Sequence, residues 1–398
     1  MRSPIHNKKI VLGVTGSIAC YKAADLASKL VQSGALVDTV LTEAAAEFVS
    51  ELTFKSLTHR EVYTSLYSPG SNLSINHVAL AESADLIIVA PATANTIAKI
   101  ANGISDDVLT TTILATTAPI IMAPAMDANM FDNPATEANV TTLISRGFFI
   151  AGPAEGRLAS GLMGKGRMIE PFDIISAANM LLGKDGDFSG KKIVVSAGGT
   201  EEAIDPVRNI TNRSSGKMGY AIAEAARDRG AMVSLVAAPN NLSKPIGISV
   251  TNIQSAEDMK KAIEEECLEA DALIMAAAVA DWRPLEKLDS KAKKDTSDTW
   301  SLELVKNPDI IAGINSNNLI KVGFAAESEN LVENSKLKVK SKNLDFIVAN
   351  DITAADSGFS VDTNKVTIIH ADGNTEALPL MSKYEVAHSI LDRVKSGF

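Results

Sequence analysis

Basic charge, thiols and long apolar runs are all scarce in this chain. Its 38 lysines and arginines face 48 acidic residues, a formal net charge of −10. A general nucleic-acid surface needs a basic face, so no nucleic-acid partner is expected. Cysteine occurs only at Cys20 and Cys267, in different halves of the sequence. That excludes a disulfide framework and suits a reducing compartment. No apolar run approaches the roughly 18 residues that cross a bilayer. The opening MRSPIHNKKIVLGVTG passes from charge straight into a strand pattern, without the apolar stretch of a signal peptide. A soluble, cytoplasmic protein with no membrane contact is expected. The dinucleotide signature G-x-G-x-x-G is also missing, which counts against a pyridine-nucleotide dehydrogenase.

What is present is ordinary globular composition, 46% hydrophobic and 22% charged. At 398 residues the chain exceeds what one core usually serves, so two domains are expected. Short apolar runs alternate with helical patterns throughout. Strands are expected at Lys9–Val14, Ala35–Leu41, Asp85–Ala90, Ile120–Ala123 and Phe148–Ala151. Between them lie helical patterns at 18–32, 44–48, 94–101 and 135–145. The Gly/Asp-rich GKDGDFSG (183–190) interrupts this series, and a new one begins at Lys191. Its strands are expected near Ile193–Val195, Val233–Ala237, Ser249–Ile253, Leu273–Met275, Ile320–Phe324 and Phe346–Ala349. Helices are expected near 218–229, 256–270, 329–342 and 382–395, and Val366–His370 with ADGN reads as a hairpin. The fold class is therefore α/β, with two doubly wound, mainly parallel-sheet domains, 1–190 and 191–398. The charged, aperiodic segment 281–299 reads as a long loop.

The second domain is organised around SAGGTEEAIDPVRNITNRSSGKMG (196–219). A buried strand runs into a Gly/Ser loop and then an Ala-rich helix with Gly230 at its end. Such a junction presents unpaired N–H groups and a helix dipole to an anion. Arg208, Arg213 and Lys217 add positive charge. In the first domain Gly13-x-x-Gly16-Ser17 follows a strand in the same way, and suits a mononucleotide. Polar loops at 90–107, 122–130 and 156–168 also follow strand ends, where such folds bind ligands.

GVTGSIACYKAADL, INHVALA, APATANTIAKIANGISDDVLTT, APAMDANMFDNPAT and EGRLASGLMGKGRM together resemble the flavin-dependent cysteine decarboxylases, specifically the phosphopantothenoylcysteine decarboxylase family. The resemblance covers most of 8–180 and implies a flavodoxin-like fold that binds FMN. It sets Gly16, Ser17, Thr42, Thr93 and Asn95 near the cofactor and His77 as the essential histidine. It implies trimeric units in which a neighbour completes each site. The implied chemistry oxidises the substrate's cysteine moiety, releases CO2 with sulfur as electron sink, and reduces the resulting enethiol, with FMN supplying the redox capacity. Asp127 stands where the family has the asparagine of PAMN, and Ser160 where a flap cysteine is common. A hydroxyl is a far weaker acid than a thiol, whose pKa is near 8.5. Cys20 is an alternative donor. Asp127 and Ser160 are nonetheless counted with His77 as catalytic candidates.

DPVRNITNRSSGKMG (205–219), AAAVADWRP (276–284), KAKK (291–294), LVKNPDI (304–310), GFAAES (323–328) and DFIVANDI (345–352) resemble the phosphopantothenoylcysteine synthetases. These ligases are fused to the decarboxylase in many bacteria. The resemblance implies that CTP activates 4′-phosphopantothenate as an acyl-cytidylate, which cysteine then attacks. Ala276, Ala277, Ala278, Asp281, Lys291, Asn307, Pro308, Asp309, Ile310, Phe324, Lys338 and Lys342 would bind CTP. Lys291 would stabilise charge as the carboxylate attacks. Asn212 would hold the acyl-cytidylate, with Arg208 beside it at the phosphopantothenate. Asp281 is a candidate for base, ribose or Mg2+. A dimeric ligase half is implied. A ligase joined to a decarboxylase that stalls at the enethiol, or that serves only as a flavin-binding scaffold, is the alternative.

Overall fold

The computed structural model describes residues 3–66, 76–292, 299–316, 318–327, 331–351 and 361–398. Ile75, Lys293, Lys294, Ser328 and Ile352, which belong to the motifs above, lie outside the described residues. The chain forms two compact units, residues 2–182 and 183–398.

In the first unit six strands line up as Val62–Tyr63, Leu36–Leu41, Lys9–Val14, Leu86–Ala92, Ile120–Pro124 and Phe149–Ile150. Every neighbouring pair is parallel. In chain order this is 3-2-1-4-5-6, the doubly wound arrangement. Ile10, Leu12, Val14 and the whole of Leu86–Val89 are fully shielded from water. Strands with both faces covered read as continuous apolar runs, as these do.

The second unit repeats that order. Ser249–Asn252, Met232–Ala237, Lys192–Ala197, Ala272–Met275, Ile320–Glu327 and Phe346–Asp351 run parallel, and Val366–His370 and Thr375–Ala377 extend the sheet antiparallel. The helix Lys217–Arg227 packs against this sheet with an alanine-rich face. Contact is close at Gly219, where a Cβ would stand 2.6 Å from the Cβ of Ala197. Gly230, at φ +91°, lies in the turn that closes the helix.

The structure departs from the sequence reading at two strand pairings and several helices. Residues 201–211 are not an irregular loop. Glu201–Ala203 and Asn209–Thr211 pair antiparallel, and Asp205 Oδ1 accepts from the backbone N–H groups of Val207 and Arg208 at 2.8 and 2.9 Å. The expected loop 281–299 opens with Trp282–Pro284, a short strand paired with Leu304–Lys306. Helices at Glu51–Thr58, Asn76–Ser83, Val108–Ala115 and Pro171–Gly183 have no counterpart in the sequence reading. The paired strands are too short to show a period.

Arg229 ties the second unit together. Its side chain is 2% exposed and donates to both carboxylate oxygens of Asp187, at 2.9 and 2.6 Å, and to Asp392 at 2.8 Å. Its guanidinium also lies over the Phe188 ring, 4.7 Å from the centroid. Arg229→Met leaves Asp187 without its main partner and should cost about 3 kcal/mol in urea unfolding. Arg229, aided by Lys395, pulls the Asp187 carboxyl down to about 2. An unfolded aspartate titrates near about 3.9. The contribution is therefore complete above about pH 4 and disappears as pH falls towards 2. Asp187→Asn should lower stability at pH 7 and remove that part of the acid dependence; an unchanged acid limb would refute it.

Candidate functional site

Each unit carries a cavity at the carboxyl ends of its parallel strands. In the first unit the cavity measures about 970 Å3. Gly16, Ser17, Thr42, Thr93, Asn95, Asp127 and Ser160 all line it. The polar side is built by short helix starts. Thr42 accepts from Ala45 N–H, and Thr93 from Thr96 N–H. Thr15 fastens the first and fourth strands' loops: its hydroxyl donates to Pro91 O at 2.7 Å and accepts from Thr93 N–H at 3.1 Å. Ile18, Met126, Met130 and Leu158 supply apolar wall.

The flap is a hairpin of Ala154–Arg157 and Met163–Arg167. It closes on the loop after the fifth strand, where Met126 N–H donates to Gly166 O at 2.9 Å. Ser160 Oγ donates to Asp127 Oδ2 at 2.5 Å. The two positions at which the sequence departs from the decarboxylase pattern are therefore bonded to each other.

Two expectations and one omission stand out in this unit. Cys20 is 1% exposed and does not line the cavity; its Sγ donates to Thr15 O, and burial pushes the thiol's pKa up. It cannot serve as the donor. His77 is half-buried on the helix Asn76–Ser83 and is not on this cavity's wall. Lys22 was missed. Its amine is buried beneath the site and donates to Met168 O and Glu170 at 2.9 and 2.8 Å. Nothing in CYKAADL marks that lysine as inward-facing.

The cavity of the second unit measures about 810 Å3. Ala276, Ala277, Ala278, Asp281, Asn307, Pro308, Asp309, Ile310, Phe324, Lys338 and Lys342 line it together with Asn212. The alanine segment is held by its backbone. Ser196 Oγ accepts from Ala277 N–H at 3.1 Å, Gly198 O from Ala278 N–H at 2.8 Å, and Thr200 Oγ1 from Ala280 N–H at 3.0 Å. Asn212 Nδ2 donates to Ala278 O and Val279 O. Asn307 Nδ2 donates to Ala280 O at 2.8 Å, and Lys342 pairs with Asp309 at 3.0 Å.

Arg208 and Lys291 do not line this cavity. Arg208 pairs with the buried Asp205, lies over the Trp300 ring and donates to Ala292 O. Lys291 sits beside that contact, at the edge of the described loop. Met218, Lys306, Asn350, Asn364 and Lys383 also line the cavity and were not singled out as ligand contacts. Among the described residues no group of three or more His, Cys, Asp or Glu could hold a metal ion.

Two family models account for nearly all of the sequence. "Flavoprotein" matches residues 2–183, and "DNA/pantothenate metabolism flavoprotein C-terminal domain" matches 188–398. The coenzyme A biosynthesis bifunctional protein CoaBC of Bacillus subtilis is 46% identical over 98% of this chain and 97% of its own length. The CoaBC protein of Vibrio cholerae is 44% identical over 96% of this chain and 97% of its own length. The chain belongs to the CoaBC family. A solved C-terminal domain of a CoaBC protein aligns at 38% identity with a TM-score of 0.46, covering 53% of this chain and 97% of its own. No helix among the described residues is long and apolar enough to cross a membrane.

Membership makes this a flavoprotein, and its flap yields a prediction. A Cβ on Gly166 would stand 2.3 Å from the backbone oxygen of Met126. Gly166→Ala must push the flap off that loop, at a cost of about 2 kcal/mol. The purified variant should retain several-fold less flavin absorbance per protein; full retention would show that the flap does not help enclose the flavin.

Proposed function

We propose that this chain joins 4′-phosphopantothenate to cysteine at the expense of CTP and then decarboxylates the product to 4′-phosphopantetheine. Residues 183–398 would carry the ligation and residues 2–182 the decarboxylation. The observation that carries this reading is the identity to CoaBC proteins along almost the whole chain. It is supported by the gathering of most of the expected residues, though not His77, Arg208 or Lys291, around two separate cavities.

The first cavity suits FMN. Its hydroxyl, amide and backbone donors at Gly16, Ser17, Thr42, Thr93 and Asn95 match a phosphate and a polar ring edge, and its apolar wall matches a flat ring. When bound, FMN supplies the two-electron oxidation and reduction. The chain's own residues bind and orient substrate and move the proton. Reduction of the enethiol needs a proton at carbon. We assign its delivery to Ser160, whose hydroxyl is held from the flap by Asp127 and would be re-protonated from solvent afterwards. A stalled decarboxylase is the second reading, favoured by the lack of any thiol on the wall.

His77 is assigned to the site of a neighbouring copy in a trimer-based flavin assembly. Ile18 and Tyr21, at the rim of the cavity, are 63% and 65% exposed, as expected of a wall that another copy would cover.

In the second cavity CTP would lie along Ala276–Ala278, Asn307–Ile310 and Phe324, with Lys338 and Lys342 near its charge. Asn212 positions the alanine segment through its two carbonyl bonds as well as facing the intermediate. One carboxylate together with nucleotide phosphates is a common way to hold Mg2+, and Asp281 is the candidate. Arg208 and Lys291 would act from the loop beside the cavity. A dimer of this half is part of the proposal.

Incubation with phosphopantothenate, cysteine, CTP and Mg2+ should give the mass of 4′-phosphopantetheine. Asp127→Asn should instead give a product two hydrogens lighter, and Ser160→Cys should not. A wild-type product two hydrogens lighter would favour the stalled reading, and accumulated phosphopantothenoylcysteine would leave only the ligase. Mixed oligomers of His77→Asn and Asp127→Asn chains should regain 4′-phosphopantetheine formation that neither parent shows. If mixing restores nothing, His77 does not act across copies.

A further inference from the structure

The C-terminal helix Lys383–Lys395 sends its first side chain into the second unit's cavity. Lys383 is 6% exposed yet lines that cavity, as does Lys217 from the start of the helix Lys217–Arg227. The two lysines come from segments some 166 residues apart and meet at one corner.

We infer that Lys383 and Lys217 together hold a phosphate group of the ligand filling this cavity, so that the C-terminal helix takes part in recognising its anionic end. The inference rests on the nucleotide reading above, adds Lys383, and gives Lys217, whose charge the sequence already sets at the strand–helix junction, a specific ligand group. Three observations carry it. The Lys383 amine is positioned by the main chain: it donates to Val361 O, and to Thr363 O at 3.3 Å. Thr363 pairs in turn with Ser382, the residue capping the same helix, so amine and backbone form one closed corner. Lys217 donates to Asp362 at 2.7 Å, which holds its amine at the same corner beside the segment that positions Lys383.

The electrostatics of the corner agree. Burial lowers the Lys383 pKa, the Lys217 charge lowers it further, and Asp362 opposes both. Two ammonium groups at a partly buried wall repel each other, and a phosphate between them relieves that repulsion. Asn364 lines the same corner, its Nδ2 3.8 Å from the sulfur of Met218. The ligand chemistry is a phosphate group bearing about two negative charges at neutral pH. Two sources supply it in this reaction: the outer phosphates of the nucleotide and the phosphate of 4′-phosphopantothenate.

Calorimetry on the full-length protein in Mg2+ separates the sources. Wild type, Lys217→Met and Lys383→Met are each titrated with CTP, CMP, 4′-phosphopantothenate and pantothenate. We expect both variants to bind CTP at least tenfold more weakly, about 1.4 kcal/mol, while CMP binding stays within twofold. If the phosphate is that of phosphopantothenate, the tenfold loss falls on that ligand and spares pantothenate. Either pattern supports the corner. Variants that keep both discriminations overturn it, as does an equal loss for all four ligands. Lys383→Met also removes two bonds to the main chain, so Lys217→Met, with an unchanged urea midpoint, decides if the first variant unfolds. A wild-type chain that binds no CTP would fail the nucleotide reading itself, a result distinct from variants that bind like wild type.

Discussion

The parallel hydrogen-bond ladder on the first strand of each unit governs where chemistry can occur. Lys9–Val14 and Lys192–Ala197 are each flanked on both sides by parallel partners. Parallel neighbours require crossovers, so every strand's carboxyl end faces the same edge. In both sheets the chain winds outward one way through the second and third strands and the other way through the fourth. The loops after the first and fourth strands therefore diverge, and a crevice opens between them. Gly16–Ser17 and Thr93–Asn95 line the crevice in one unit, and Ser214–Gly219 and Ala276–Asp281 in the other. The sites follow from strand order before any particular side chain is considered.

Side chains then stiffen the edge. A loop leaving a buried sheet carries backbone groups that need partners. Thr15, in one unit, bonds both Pro91 O and Thr93 N–H. In the other, Ser196, Gly198, Thr200 and Asn212 satisfy successive groups of the segment from Ala277 to Ala280. Small residues suit this role because the loop is held through its main chain and its outer face stays clear for a ligand. That accounts physically for AAAVAD, a run whose composition alone suggests only packing.

The strands were legible because both of their faces are buried, and Ile10–Leu12 and Ile193–Val195 show this as apolar runs at their centres. Most of the residues named as ligand contacts do line a cavity, and they were legible through resemblance, which fixes a side chain at a motif position without any geometry. The short pairings at 201–211 and 282–306 were not, since strands of three residues have too little length for a period. Direction was equally hidden. Cys20 follows the Gly16–Ser17 loop closely in sequence, but on the first turn of its helix it is buried. Lys383 opens a helix in the stretch MSKYEV, and its place on the cavity wall beside the paired Thr363 and Ser382 has no mark in the sequence. Contacts between residues distant in the chain carry no local signature.

Asp127 and Ser160 show the same limit from the other side. As separate departures from a motif, each weakens the expectation of a complete reduction step. The structure joins them at 2.5 Å, across the flap and the loop after the fifth strand. Asp127 also caps the helix Ala128–Phe131 by accepting from Asn129 N–H, which fixes its carboxyl in orientation. An asparagine could fill that cap equally well, so the cap does not require a carboxylate. The two departures therefore form one bonded unit: Asp127 accepts at both carboxylate oxygens, and Ser160 reaches one of them from the flap.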